Sequence, residues 1–243
     1  MTPEEKQEIE EVVQEAVPEI VQEVLDEIAN QSIDAQLGFS IDADGYLCVD
    51  IDSYEPFDSR IEYLRGTGTQ YIDTGIAYRS SLSIEAKLKM ESTTIDGEYL
   101  FGIKTTLDGT TYRWAVDGGS SSYVSPHFGT VTSETVPFTR NEWHTVRADY
   151  RYITVDGETV DTEAAAFTPE SLINLYLYGR SDDNVAAMMR ELDISSFKII
   201  DNGKTVRDFI PVRKGNIGYL YDNISGQLFG NAGTGSFVLG PDK

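Results

Sequence analysis

The chain has 243 residues, 40% of them apolar and 11% aromatic, enough for one sandwich domain of about 180 residues plus a smaller element. Its formal charge of −22 argues against a nucleic-acid binder, because an acidic surface repels phosphate backbones. Cys48 is the single cysteine, so no intrachain disulfide can form, and the apolar runs are too short for a membrane-spanning helix.

The charge is unevenly placed. Residues 1–58 hold 17 acidic side chains against Lys6 alone, whereas residues 59–243 hold 24 against 18 basic ones. Glutamates fill the first 15 residues, where a secretory leader would need a basic region and an apolar core, so the sequence predicts assembly in the cytoplasm.

Residues 1–31 read as an acidic amphipathic helix. Thr2 can cap it, Pro3 suits the first helical position, and Glu5 completes a capping-box spacing. Ile9, Val12, Val13, Ala16, Val17, Ile20, Val21, Val24, Leu25 and Ile28 then recur at separations of three and four, opposite the glutamates. Left in water, each large aliphatic side chain costs about 1.5–3 kcal/mol relative to burial, so the stripe must pack on something. Pro18 predicts a kink or break. Self-association through Ile9, Val13, Val17, Ile20, Val24 and Ile28 is favoured over docking on another protein or folding back on the same chain.

Residues 32–59 read as a β-hairpin connector: Phe39 and Ile41, then Tyr46, Cys48 and Asp50, flank turn residues 42–45. Asp42, Asp44 and Gly45 resemble the start of a calcium loop, but Ser53 stands where its bidentate glutamate belongs, so a plain turn is favoured. Pro56 and Asp58 mark the boundary with the main domain.

Residues 60–243 read as strands. Leu82, Ile84, Ala86, Leu88 and Met90 alternate with Ser83, Glu85, Lys87 and Lys89, the pattern of a strand with one buried face. Further strands are expected at 97–104, 111–117, 122–128, 143–150, 152–155, 172–178, 192–200, 206–212, 217–221 and 235–239. Many short strands separated by Gly, Asn and Asp turns predict an antiparallel sandwich. The Asp156-Gly157 pair supplies the positive backbone angles of a tight hairpin turn.

The stretch NEWHTVRADYRYITVDGETV, residues 141–160, resembles laminin-G and concanavalin A-like modules, where a strand led by tryptophan runs into a "VDG" turn. The phrases at 61–76 and 197–242 are similar to modules carried by phage and prophage structural proteins of gut bacteria. The resemblance covers about residues 60–243 and implies a mainly β, jelly-roll sandwich behind an N-terminal α-helical segment. It also implies Trp143 inside the sandwich, a trimer or other homo-oligomer by analogy with phage fibres, and virion partners bound through the helix. The implied location is the virion, assembled in the host cytoplasm and acting outside the cell.

Related sandwiches include glycoside hydrolases, whose retaining mechanism needs a nucleophile and an acid about 5.5 Å apart. The nearest candidate is ELDISS, residues 191–196: Glu191 and Asp193 share a face, but Ser195 and Ser196 replace the second glutamate. No catalytic residues are assigned, and a non-enzyme is expected. His144, beside Trp143, reads as a packing residue and His127 lies near a turn; with two histidines and one cysteine no His/Cys metal cluster can be assembled. GNAGTG (230–235) lacks the Lys-Ser/Thr ending of a phosphate loop and reads as a turn.

Binding remains. Sugars offer apolar C–H faces and hydroxyl rings, which call for an aromatic platform beside hydrogen-bonding side chains. The candidates are Tyr112, Trp114 and Tyr123 around the 118–122 turn, with Arg180, Asp182, Asp183 and Asn184 in a polar loop. Core or edge packing is the competing role for each aromatic. No metal site is assigned, although Asp182, Asp183 and Asn184 could offer oxygen ligands to calcium. The sequence thus predicts adhesion to cell-surface or mucus glycans, with a purely structural decoration or fibre subunit as the alternative and a hydrolase third.

Overall fold

The computed structural model describes residues 38–41, 47–50, 55–90, 99–118, 122–132, 135–169 and 171–243. The expected helix and its oligomerisation stripe, Ile9, Val13, Val17, Ile20, Val24 and Ile28, lie outside the described residues. Two compact units are present, Met1–Glu55 and Pro56–Lys243. In the first, β1 (Gly38–Ile41) pairs antiparallel with β2 (Leu47–Asp50), Phe39 opposite Val49.

The second unit is an antiparallel β-sandwich, and no helix occurs among its described residues. Its larger sheet contains β3 (Ser59–Arg60), β4 (Leu64–Thr67), β6 (Leu82–Met90), β12 (His144–Ala148), β13 (Tyr152–Val155) and β14 (Glu158–Asp161). It continues with β18 (Glu191–Asp201), β19 (Lys204–Lys214), β20 (Ile217–Asp222), β21 (Gln227–Phe229) and β22 (Val238–Leu239). Their main path is β14-β13-β12-β6-β18-β19-β20-β21, with β4 paired to β18 and β22, and β3 to β19.

The smaller sheet runs β10 (Val131–Thr132), β9 (Tyr123–Gly129), β8 (Thr110–Asp117), β7 (Tyr99–Leu107), β15 (Asn174–Leu177), β5 (Ile72–Ala77). Off this path, β11 (Val136–Pro137) pairs with β9, and the hairpin β16 (Arg180–Asp182) and β17 (Val185–Ala187) pairs with β7 through β16, in parallel.

Period-two alternation builds the core. On β6 every apolar residue from Leu82 to Met90 is buried and joins one cluster with Val146, Ile194, Phe197 and Ile199 of its neighbours. Phe101, Ile103, Trp114, Val116 and Phe128 contribute from the other sheet. Phe101 meets Phe197 edge-on across the layers, ring centroids 5.5 Å apart.

Local chemistry fixes the connections. Asp156 and Gly157 have φ of 49° and 93°, the doubly positive angles that the β13–β14 turn needs. β4 and β5 were not among the expected strands, because LRGT and IDTGIA alternate poorly; pairing with β18 and β15 supplies the order their propensity does not.

Candidate functional site

The structure exchanges the expected placements of the two tryptophans. Trp114, proposed as a sugar platform, is wholly buried between the sheets, and its Nε1 donates to the Asp149 carbonyl at 2.7 Å. Trp143, expected inside, is half-exposed one residue before β12. The parity of β12 explains this: His144, Val146 and Ala148 face the core, so Thr145 and Arg147 face outward and Trp143 shares their side.

The other candidates are mostly engaged in holding the fold. Tyr112 packs on Phe167, ring centroids 5.2 Å apart, against the core. Arg180 is buried over the Tyr99 ring, 4.2 Å from its centroid, and forks onto Asp182 at 2.5 and 3.1 Å. Asp182 also accepts from Lys104 at 3.0 Å. Burial opposes ionisation of Asp182, but these two cations outweigh it and hold its carboxyl below the usual range. Asp183 accepts from Thr105 Oγ1, and Asn184 bridges the Asn174 amide and the Leu172 carbonyl. Tyr123 is half-buried at the start of β9, while Asp183 and Asn184 are exposed at the β16–β17 turn. The chain therefore brings Arg180 and Asp182 together but buries Trp114 away from them. Among the described residues no group of three His, Cys, Asp or Glu could hold a metal ion.

A different cluster forms on the outward face of the larger sheet. Tyr63 and Trp143, both half-exposed, lie 6.1 Å apart by ring centroids. The Lys89 ammonium lies 5.2 Å from the Tyr63 centroid and 5.3 Å from that of Trp143. Lys87 stands 5.9 Å from Trp143 and Arg65 lies 5.2 Å from Tyr63. Beneath them Asp193 is wholly buried, accepting from Arg65 at 2.6 and 2.9 Å and pairing with Lys89 at 2.9 Å.

Strand register makes this constellation. Asp193 of β18 sits between Arg65 of β4 and Lys89 of β6. A bulge between Ile194 and Ser196 then realigns β18, bringing Ser196 opposite Lys87. Thr145 flanks Lys87 from the other side. Farther along β6, a shallow groove of about 380 Å3 is lined by Ser83, Glu85, Arg147, Tyr152, Thr154 and Thr159, among others. Glu85 of the groove and Lys87 beside Trp143 are two residues apart on β6, roughly 7 Å, so both stand on the same face of the sheet. The outward parity of HTVRA and LSIEAKLKM was the sequence signal for this face; the arrival of Tyr63, just before β4, and of Arg65 within it had none.

The histidines are structural in placement. His144 is buried against Phe138, its Nδ1 2.6 Å from Asp156 and its Nε2 2.7 Å from the Thr139 carbonyl. His127 lies on β9 with its ring 5.5 Å from that of Tyr99.

No family model and no curated protein matches the sequence. Among solved structures, the chain is similar to a Bacteroides ovatus protein described as a "putative carbohydrate binding protein", with a TM-score of 0.50 and 15% identity over 76% of this chain. The two share a fold. The match spans 61% of that protein's length.

Proposed function

We propose that the sandwich binds glycans on the outward face of its larger sheet. The observation that carries this reading is the half-exposed Tyr63–Trp143 pair, ringed by Arg65, Lys87 and Lys89 on the same sheet face as a groove of hydroxyl and charged side chains. Aromatic faces stack on sugar C–H groups while the flanking polar groups fix orientation. The carbohydrate-binding description of the structural neighbour supports the same reading.

In the fuller form of this proposal the chain is a phage or prophage virion protein, assembled in the host cytoplasm and acting outside it. Residues 1–31 join it into a homo-oligomer, a trimer by analogy with fibres, or attach it to other virion proteins. Weak single sites then gain strength from multivalency. The module acts as a binder and not a hydrolase: Asp193, one of the two acidic residues of the candidate catalytic stretch, is buried and tied to two cations.

A glycan array probed with the full chain tests the proposal. Binding should be weakened in Trp143→Ala and Tyr63→Ala and retained in Tyr123→Ala, with all three variants showing wild-type far-UV circular dichroism. Binding that survives loss of both rings would remove this face from consideration.

A further inference from the structure

We infer that the glycan taken by this face carries acidic groups, carboxylates or sulfate esters, read by Lys87; the inference rests on the glycan reading above. Two ammonium groups, Lys87 at 5.9 Å and Lys89 at 5.3 Å, share the single indole of Trp143. Lys89 is tied to the buried Asp193. Lys87 is different. It is exposed, it has no ion-pair partner among the described residues, and its register neighbours are the hydroxyl residues Thr145 and Ser196.

Three outward carboxylates of the same sheet are held by other cations. Glu85 pairs with Arg147 at 2.9 Å and Asp208 with Lys198 at 3.8 Å, while Asp193 takes Arg65 and Lys89. Lys87 thus presents an ammonium over the Trp143 ring with no ion-pair partner among the described residues. A sugar stacked on Trp143 would bring a ring substituent within reach of that ammonium, and an anionic substituent would form a charge-assisted hydrogen bond there.

The acidity of the whole chain sharpens this reading. A formal charge of −22 gives polyanions no general attraction to the molecule, so an acidic glycan would be held by local contact. Distant carboxylates are screened over about 8 Å at physiological salt, whereas a contact at Lys87 is not.

The test uses the full chain against paired ligands: uronic-acid oligosaccharides with their carboxyl-reduced counterparts, and sulfated oligosaccharides with their desulfated counterparts. Affinities are measured by titration calorimetry at low and high salt for wild type, Lys87→Gln, Lys87→Arg and Trp143→Ala. The expected result is an acidic form bound about ten-fold tighter than its neutral counterpart, the size of one hydrogen bond to a charged group. That preference should vanish in Lys87→Gln and return in Lys87→Arg, while Trp143→Ala weakens both forms. Equal affinity for acidic and neutral forms, or an undiminished preference in Lys87→Gln, overturns the inference and leaves the glycan site standing. No binding of any pair, or binding indifferent to Trp143→Ala, overturns both.

Discussion

Trp114 and Asp149 stitch the two sheets together: the indole Nε1 on the smaller sheet donates to the backbone carbonyl just beyond the end of β12 on the larger, at 2.7 Å. The same Asp149 uses its side chain to accept from the amides of Arg151 and Tyr152, shaping the turn into β13. Asp149 thereby links the two layers through its carbonyl and starts a hairpin through its carboxylate.

Trp114→Phe should destabilise the protein by about 2 kcal/mol or more, because the Asp149 carbonyl loses its buried donor and the smaller ring leaves space beside Phe128 and Tyr78. Trp143→Phe, on the outward face, should cost less than about 1 kcal/mol. Urea unfolding followed by far-UV circular dichroism measures both, and equal losses would contradict the inward placement of Trp114 and the outward placement of Trp143.

Asp193 holds two cations from two neighbouring strands. Asp193→Ala leaves Arg65 and Lys89 without their shared buried carboxylate and should cost about 3 kcal/mol or more. Because the Arg65–Asp193 ion pair is lost in either single variant, the costs of Asp193→Ala and Arg65→Ala should fall short of adding in the double variant by at least about 1 kcal/mol. Simple additivity in chemical denaturation would show that the pair is not coupled.

Asp182 predicts a pH dependence of known sign. Its carboxyl is held below the ordinary value despite burial, by Arg180 and Lys104. A depressed folded pKa contributes stability above the unfolded value, about 3.9, and loses it as pH falls through the folded value. The unfolding free energy of wild type should therefore exceed that of Asp182→Asn by about 1.5–3 kcal/mol at neutral pH. The gap should narrow steadily in acid, and a gap that is unchanged down to pH ~2 would refute the assignment.

Two glycines separate backbone strain from packing. Gly157, with φ of 93° and open space around it, should lose about 1 kcal/mol on conversion to Ala. At Gly102 a new Cβ would sit 2.3 Å from that of Ala115 in the paired strand, so Gly102→Ala should lower the melting temperature much further.

Period-two patterning was the strongest guide to the fold. It located β6, β12, β13, β18, β19 and β20 to within a few residues, and the Asp-Gly turn to the residue. The same pattern also contained the answer for Trp114, since Tyr112, Trp114 and Val116 alternate with Arg113, Ala115 and Asp117. Family likeness pulled Trp143 inward, whereas the alternation of HTVRA placed it outside.

What the chain determined by itself was local: strand parity, turn chemistry and the sign of each face, because these depend on side chains two or four residues apart. The candidate site was not local. Tyr63, Arg65, Lys89, Trp143 and Asp193 are separated by as many as 130 positions, and the register of β4, β6, β12 and β18 brings their charges and rings within hydrogen-bonding and stacking distance. Such pairing is settled by which sheet edges bury the most apolar surface together, a property of the whole packed sandwich.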